Sequence, residues 1–511
     1  VADTEHLRLR LARAHFGLCV SKRLFKMRRA GVGTYRMVLN NPQHVSCLRR
    51  ALFGPEAGFS VVDTSPNYGD GLSEELVGGV LKMADSEGLE GRDRLEIISK
   101  FGFIQGRDLE QHNKTPFEGA VKYTDDCWHS VDSSFMKHQL SGSLDRLGVS
   151  KIDTYLVHNP EHFLMSQIPP ETSPEIGGPL IEALQEQLKD NLTKTFEALE
   201  IEIDAGRIGG YGVSSNSFAL PPDHPHFVPF QSLVDMASEA ARRVRGSSSS
   251  HGFTTLEFPA NIIERTAITP IEAGGNGCAQ WAHENGLRTV VNRALTAFDD
   301  VGSWRLAEAP FPVDYADKRD ALLEHLSPPP LEAEEERSLT ADEKQEWADT
   351  LEACHWMRQL INDLDAQMSA FSSVMHYQDD LMRKVVPMIN AKLDGMDEDT
   401  SNQLFEFFAA YEQAVRSVTG QQTRTHIFEN ISQDKALAAA RNSCDPALFV
   451  PPELPVGLSP AAQVPLQEYA LGWLAQQPCV STILVGTVRE SYVDEVAQII
   501  AKYSSNPATS A

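Results

Sequence analysis

The sequence has no run approaching roughly 18 uninterrupted apolar residues, so nothing in it reads as a membrane-spanning helix. Its seven cysteines are scattered, with no CxxC pair and no Cys/His cluster at zinc-binding spacing. They point to reduced, mostly buried thiols rather than a disulfide framework or a zinc site. Basic residues are in deficit: 45 Lys and Arg stand against 71 Asp and Glu, a formal net charge of -26. A polyanion would be repelled over most of such a surface, so nucleic acid is not an expected partner. Internal repeats and long low-complexity tracts are missing as well. What remains is an ordinary globular composition, 41% apolar and 23% charged. At 511 residues the chain exceeds what one core serves, which predicts a large domain plus a sizeable addition.

The charge is unevenly spread. Arg8, Arg10, Arg13, Lys22, Arg23, Lys26, Arg28 and Arg29 occur with no acid between Glu5 and Glu56. Residues 1–27 therefore read as a basic extension, either an organelle transit peptide or an arm capping a barrel. The expected compartment is cytoplasmic, or an organelle matrix (mitochondrial or plastid) if the stretch is a transit peptide. Residues 331–420 are the opposite, with 19 acids against 7 Lys and Arg.

From about residue 30 to 296, short β-branched runs alternate with helical patterns, the signature of βα units around a parallel sheet. Strands are predicted at 31–37, 59–63, 95–100, 152–158, 209–214, 254–258 and 288–292, with an eighth, 481–485, only near the C-terminus. Eight such units close an α/β, (β/α)8 TIM barrel, whose chemistry sits on the loops after the strands. Between strand 7 and helix 7 lies a helical insertion far longer than a barrel connection needs. Pro328, Pro329 and Pro330 with the acidic run 332–336 mark its entry, and Pro451, Pro452 and Pro455 its exit. Thr340 with Glu343 predicts a capping box. Behind it Trp347, Leu351, Cys354, Met357, Ile361, Leu364, Met368, Phe371 and Met375 keep helical spacing on one face. The stripe is expected to pack on its own helices or on the barrel, and the acidic insertion could alternatively dock a protein partner. The domain reading is a basic extension 1–27, a barrel 28–296, an acidic helical insertion 297–455 and the end of the barrel 456–511.

The most informative segment is Val62-Asp63-Thr64-Ser65-Pro66-Asn67-Tyr68-Gly69, followed by Ser73-Glu74-Glu75 and Gly78. Further along come Gly31-Val32-Gly33-Thr34, Ser99-Lys100, Leu144-Asp145-Arg146-Leu147-Gly148, Asp153-Thr154-Tyr155-Leu156-Val157-His158, Gly206-Arg207-Ile208-Gly209 and Gly212-Val213-Ser214-Ser215-Asn216. Together these resemble the aldo-keto reductase family over the barrel, up to the insertion. The resemblance implies catalytic Asp63, Tyr68, Lys100 and His158. Singly, each has a structural alternative: a helix cap, a packing aromatic, a solvated strand end, a satisfied buried imidazole. Jointly, at the ends of the expected strands, they point to chemistry.

That chemistry has a physical logic of its own. Hydride delivery to a carbonyl carbon leaves an alkoxide, so a proton donor must sit beside the oxygen. A phenol such as Tyr68 is a poor acid unless its anion is stabilised, and a nearby ammonium, Lys100, is expected to lower its pKa. Asp63 would keep Lys100 charged, and His158 would aim the substrate oxygen.

By the same resemblance, the cofactor is NADP, with NAD possible. Its contacts would fall on Gly33, Thr34, Asp63, Ser214, Asn216, Asn261 and Asn292, and at the phosphate end on Gly486, Thr487 and Arg489, where a helix N-terminus suits an anion. The chain departs from the family at three places. Glu257 stands where Gln is frequent, Asn292-Arg293-Ala294-Leu295 where Tyr-Ser-Pro-Leu is usual, and Val496 where an adenosine-contacting Asn is usual. Two functions are therefore carried forward: an NADP-dependent oxidoreductase acting on a small aldehyde, ketone or sugar, or a catalytically idle barrel serving as scaffold or accessory subunit. A metal-dependent hydrolase would need several His and carboxylates at strand ends, and only His158 sits there.

Overall fold

A computed structural model describes residues 29–54, 58–169, 172, 174–246, 250–269, 277–299, 302–328, 338–392, 397–433 and 464–504. The basic stretch 1–27 and most of the proline and acidic markers of the insertion, 329–336 and 451–455, lie outside them. The described chain resolves into two compact units, one of residues up to Ala297 with the chain from Glu468, the other of Phe298–Ser432 with Pro465–Gln467.

In the first unit, eight strands close a barrel: β1 (Arg29–Gly33), β2 (Phe59–Asp63), β3 (Glu96–Phe101), β4 (Ile152–His158), β5 (Ile208–Ser214), β6 (Phe253–Pro259), β7 (Arg288–Asn292) and β8 (Thr482–Val485). Each pairs in parallel with the next, and β8 returns to β1. The (β/α)8 expectation is met, with the insertion between β7 and the helix Leu466–Gln476. β7 and β8, with sequences RTVVN and TILV, are β-branched runs covered on both faces, the composition a parallel sheet selects. Val61, Ile98, Leu156, Val290 and Leu484 form one buried layer inside the cylinder.

The strand limits differ from expectation mainly at β1. It stops at Gly33 instead of running to 37, because Thr34 turns the chain: its N–H donates to the Asp63 carbonyl at 3.0 Å and its own carbonyl accepts from Met37 N at 2.9 Å. Two glycines make the closure possible. A Cβ on Gly31 would lie 2.6 Å from Leu484 Cδ2, and one on Gly212 would overlap the Thr255 carbonyl.

Glu74 and Gly148, singled out in the sequence, hold elements together. Glu74, fully buried on the helix Leu72–Glu87, accepts from Ser99 Oγ of β3 at 2.6 Å and from Arg146 Nε of the helix Ser133–Leu147 at 2.7 Å. Gly148 ends that second helix in the left-handed region, φ 65°, donating back to Leu144 and Asp145. After β3 the chain adds something the sequence reading did not contain, an antiparallel three-stranded sheet of Phe103–Ile104, Val121–Thr124 and Cys127–His129. Among the described residues no helix is long and apolar enough to cross a membrane.

The second unit is helical, with Tyr315–His325, Ala341–Gln367, Val374–Asp380 and Glu398–Gln433 as its main helices. The Thr340–Glu343 capping box is present. Met357, Ile361, Leu364, Met368 and Phe371 from the predicted stripe join Tyr315, Phe407 and Tyr411 in one core, while Leu351 and Met375 at its ends are exposed. The stripe thus packs on helices of its own unit.

Candidate active site

Four side chains from four places in the sequence meet at the C-terminal end of the barrel. Asp63 closes β2, Lys100 lies near the end of β3, His158 closes β4, and Tyr68 hangs on the loop beyond β2. Register explains the meeting. Asp63 is level with Ile98 and Lys100 with Leu156, so Lys100 stands one inward-facing position above Asp63 on the adjacent strand. The loop is folded by its own hydrogen bonds, Tyr68 N to Ser65 O at 3.0 Å and Ser73 N to Tyr68 O at 3.2 Å, which bring the phenol back over the strand ends.

Lys100 is fully buried. Its Nζ donates to Asp63 Oδ2 at 2.5 Å, to the Thr64 carbonyl at 3.2 Å and to Tyr68 Oη at 3.4 Å. His158 Nδ1 is 3.3 Å from Ser65 Oγ, and its ring stands edge-on to Tyr68 at 6.1 Å between centroids. Tyr35 covers Tyr68 on another edge at 5.1 Å, and Phe103 covers His158 at 4.8 Å. Phe103, Tyr123, His129 and His162, from the three-stranded sheet and the chain after β4, form a cluster of rings beside His158. His129 Nε2 donates to the His158 carbonyl at 2.7 Å.

Charge follows from burial and these neighbours. The His158 imidazole is held well below its ordinary range by burial and by Lys100, so it is neutral at physiological pH and can donate or accept one hydrogen bond. Lys100 stays an ammonium: burial opposes its charge, and Asp63 and Glu257 more than offset it. For Tyr68 the sequence expectation is corrected. Lys100 does pull the phenol down, but burial comes first, and the Asp63 and Glu257 carboxyls add to it, so the net displacement is upward. Asp63 is itself pushed up to about 8 by burial and by Glu257, against the pull of Lys100.

Glu257 is the residue for which the sequence reading had no role. It is 1% exposed on β6, with Oε2 3.7 Å from Lys100 Nζ and Oε1 accepting from Asn292 Nδ2 at 2.9 Å. Its departure from the family's Gln was the available signal. Glu161 was missed altogether, since nothing in Asn159-Pro160-Glu161 announces it. It is 4% exposed and accepts from Ser215 Oγ at 2.7 Å and from Asn216 N at 3.0 Å, bracing the turn after β5. Burial pushes its carboxyl up to about 7, with the Ser215 and backbone hydrogen bonds opposing.

The remaining expected cofactor contacts divide into two sets. Gly33 and Gly486 lie where β1 and β8 end; a Cβ on Gly33 would meet nothing within 4 Å, and one on Gly486 only the Gly33 carbonyl at 3.8 Å. Ser214 is buried at the end of β5, and Asn216 is half-buried beside it. Asn292 Oδ1 is buried without a hydrogen-bond partner. Arg489 is exposed just before the helix Glu490–Ser504, its guanidinium 5.8 Å from the Tyr492 ring. Thr34 and Asn261, by contrast, are fully buried and locally engaged. Thr34 Oγ1 donates to the Asp63 carbonyl at 2.9 Å. The Asn261 amide closes its own turn, accepting from Ile263 N and Glu264 N at 2.9 Å and donating to Glu264 Oε2 at 2.9 Å. Thr487, 5% exposed, turns its hydroxyl to the Arg489 carbonyl. Val496 is buried, its apolar side chain packed inward.

Residues 30–220 match the aldo/keto reductase family model, from β1 through the turn after β5, and so include all four clustered side chains. Over these residues the chain is similar to the aldo/keto reductase family. A curated relative, the NADH-specific methylglyoxal reductase of Escherichia coli (strain K12), is 27% identical over 112 residues, 22% of this chain and 30% of that protein. The chain thus matches less than a third of that reductase. Among solved structures, an aldo/keto reductase from Klebsiella pneumoniae in complex with NADP and acetate is 19% identical, covers 53% of this chain and 65% of its own, and has a TM-score of 0.31. An aldo-keto reductase from Bacillus halodurans in its holo form is 18% identical, with 59% and 73% covered and a TM-score of 0.33. The match ends at residue 220, and β6, β7 and β8 complete the barrel beyond it.

Proposed function

We propose that this protein is a nicotinamide-dependent oxidoreductase that interconverts the carbonyl of a small aldehyde, ketone or sugar with the corresponding alcohol. The observation that carries the reading is Tyr68 Oη, 3.4 Å from Lys100 Nζ, at the mouth of the barrel, with Lys100 paired to Asp63. A phenol in hydrogen-bond contact with a buried ammonium is equipped to give a proton to an oxygen that is gaining negative charge, because the ammonium stabilises the phenolate left behind.

The open backbone at Gly33 and Gly486, the unpartnered Asn292 Oδ1 and the exposed Arg489 suit an extended phosphate-bearing cofactor. Bound, a reduced nicotinamide supplies the hydride. Everything else falls to this chain. Ser214, Asn216 and Asn292 would orient the ring, Gly486 and Arg489 would meet phosphate, and neutral His158 hydrogen-bonds the substrate oxygen. Tyr68 donates the proton, and Lys100, fixed by Asp63, steadies the phenolate. The ring cluster of Phe103, Tyr123, His129 and His162 limits water beside His158. NADP is the cofactor of choice, with Arg489 as the partner for a 2'-phosphate; the NADH specificity named for the Escherichia coli relative makes NAD the second.

The idle-scaffold reading draws on Asn261, whose amide is engaged by its own turn and by the Arg293 and Thr296 carbonyls, and on Val496, packed inward. One experiment decides between them. Titration of the purified protein with NADPH and NADH, followed by nicotinamide fluorescence, and then a panel of aldehydes, ketones and sugars with the bound form, should give binding and turnover. Silence with both cofactors would establish the scaffold instead.

A further inference from the structure

Glu257 takes no part in the reaction as derived, yet it is packed into its centre. The titratable groups that face Lys100 are Asp63 from β2, Tyr68 from the loop beyond it, His158 from β4 and Glu257 from β6, with neutral Asn292 of β7 holding Glu257 in place. His158 is uncharged and Tyr68 is a neutral phenol. Two carboxyls therefore face one ammonium, at 2.5 and 3.7 Å, and all three residues are 3% exposed or less. Glu257 Oε2 has no hydrogen-bond partner. With both acids ionised, the cluster would bury one uncompensated negative charge, which a low-dielectric site relieves by retaining a proton.

We propose that Asp63 and Glu257 share one proton at neutral pH, and that this proton, passed through Lys100, restores Tyr68 after Tyr68 has given its own to the substrate oxygen. The relay rests on the assignment of Tyr68 as proton donor made above. Its steps balance without any change of oxidation state. The phenolate takes a proton from the Lys100 ammonium across the 3.4 Å contact, and the resulting amine takes one from the carboxyl pair across the 2.5 Å contact. The pair is left with both carboxyls ionised and reloads from water when product leaves. Asp63, lifted to about 8 chiefly by burial and then by Glu257, has the affinity such a reserve needs. Glu257 is a positioning residue in this scheme: it acts through Asp63 and Lys100 and touches no substrate. A glutamine at the same place could hold the same shape but no exchangeable acid proton.

The test is infrared spectroscopy of the full-length protein without cofactor, titrated from neutral pH upward. A protonated-carboxyl C=O stretch should be present at neutrality and vanish as pH rises through about 8. Glu257→Gln and Asp63→Asn should each abolish it, since either leaves Lys100 with one ordinary carboxylate; the second variant serves if the first does not fold. No such band in the wild type, or a band unchanged in both variants, overturns the shared proton. In turnover, Glu257→Gln should lower kcat several-fold with KM little changed, and added buffer should restore it, as solvent takes over the reprotonation. A kcat equal to wild type and insensitive to buffer overturns the relay. A clear infrared step in a protein that turns over no carbonyl compound would place the failure in the assignment of Tyr68, with the shared proton standing.

Discussion

Lys100 donates to Asp63 at 2.5 Å across the β2–β3 boundary, although 37 residues separate them, because the parallel register sets Asp63 level with Ile98 and Lys100 two residues further on. This ion pair is the floor on which the phenol of Tyr68 rests.

Removing that phenol should stop the chemistry and little else. Tyr68→Phe is expected to lower kcat by on the order of 10²- to 10⁴-fold, the usual contribution of a positioned proton donor. Cofactor affinity should change little, because the hydroxyl faces Lys100. Steady-state kinetics beside a fluorescence binding titration would check both; full activity in the variant would remove Tyr68 from the mechanism.

The lysine carries a structural burden as well. Lys100→Met leaves Asp63 and Glu257 buried with no counter-ion, and breaking a buried pair in this way costs about 3–5 kcal/mol. Combining it with Asp63→Asn should cost less than the two single changes added together, as contacting residues do. Urea unfolding of the four proteins measures this, and strict additivity would show that the pair is not coupled.

Stability should fall on the acid side because of the buried imidazoles. Burial, first of all, depresses His129 to about 3 and His162 to about 4, below the ordinary 6.5 of an imidazole. The unfolded chain therefore binds more protons than the native one between about 6.5 and 3, and stability is lost as pH falls through that window. Asp63 and Glu161, both lifted, act in the opposite sense over part of this window, so the contribution is read from the variant: replacing His129 by Gln should reduce the loss of stability between neutral pH and about pH 5. A pH dependence unchanged by the replacement would contradict it.

Glu161 offers a test of the turn after β5. Glu161→Ala strips Ser215 Oγ and Asn216 N of their shared acceptor, which at a buried position costs roughly 1–3 kcal/mol. If Ser214 and Asn216 orient the nicotinamide, cofactor KM should rise more than kcat falls. A drop in stability with unchanged cofactor KM would restrict Glu161 to holding the fold.

Arg489 should discriminate between cofactors. Arg489→Ala is expected to weaken NADPH by about tenfold, the equivalent of ~1.4 kcal/mol, and to leave NADH nearly unaffected. Parallel titrations with the two would read the ratio, and equal losses would mean that Arg489 meets no 2'-phosphate.

The sequence by itself determined the barrel and its eighth strand near the C-terminus, because β-branched runs buried on both faces can only be strands of a covered parallel sheet. It also placed Asp63, Tyr68, Lys100 and His158 at strand ends, since these residues sit inside local motifs with a fixed offset from each strand. The capped helix at Thr340 was equally local, its partner being three residues away. Tertiary structure alone decided what those residues experience. That Tyr68 is held above its ordinary pKa, that Glu257 reaches Lys100 from a strand 157 positions away, and that Asn261 spends its amide on its own turn and on the Arg293 and Thr296 carbonyls are matters of burial and distance. Such quantities depend on which strands become neighbours when the cylinder closes, and no local pattern of residue types encodes them.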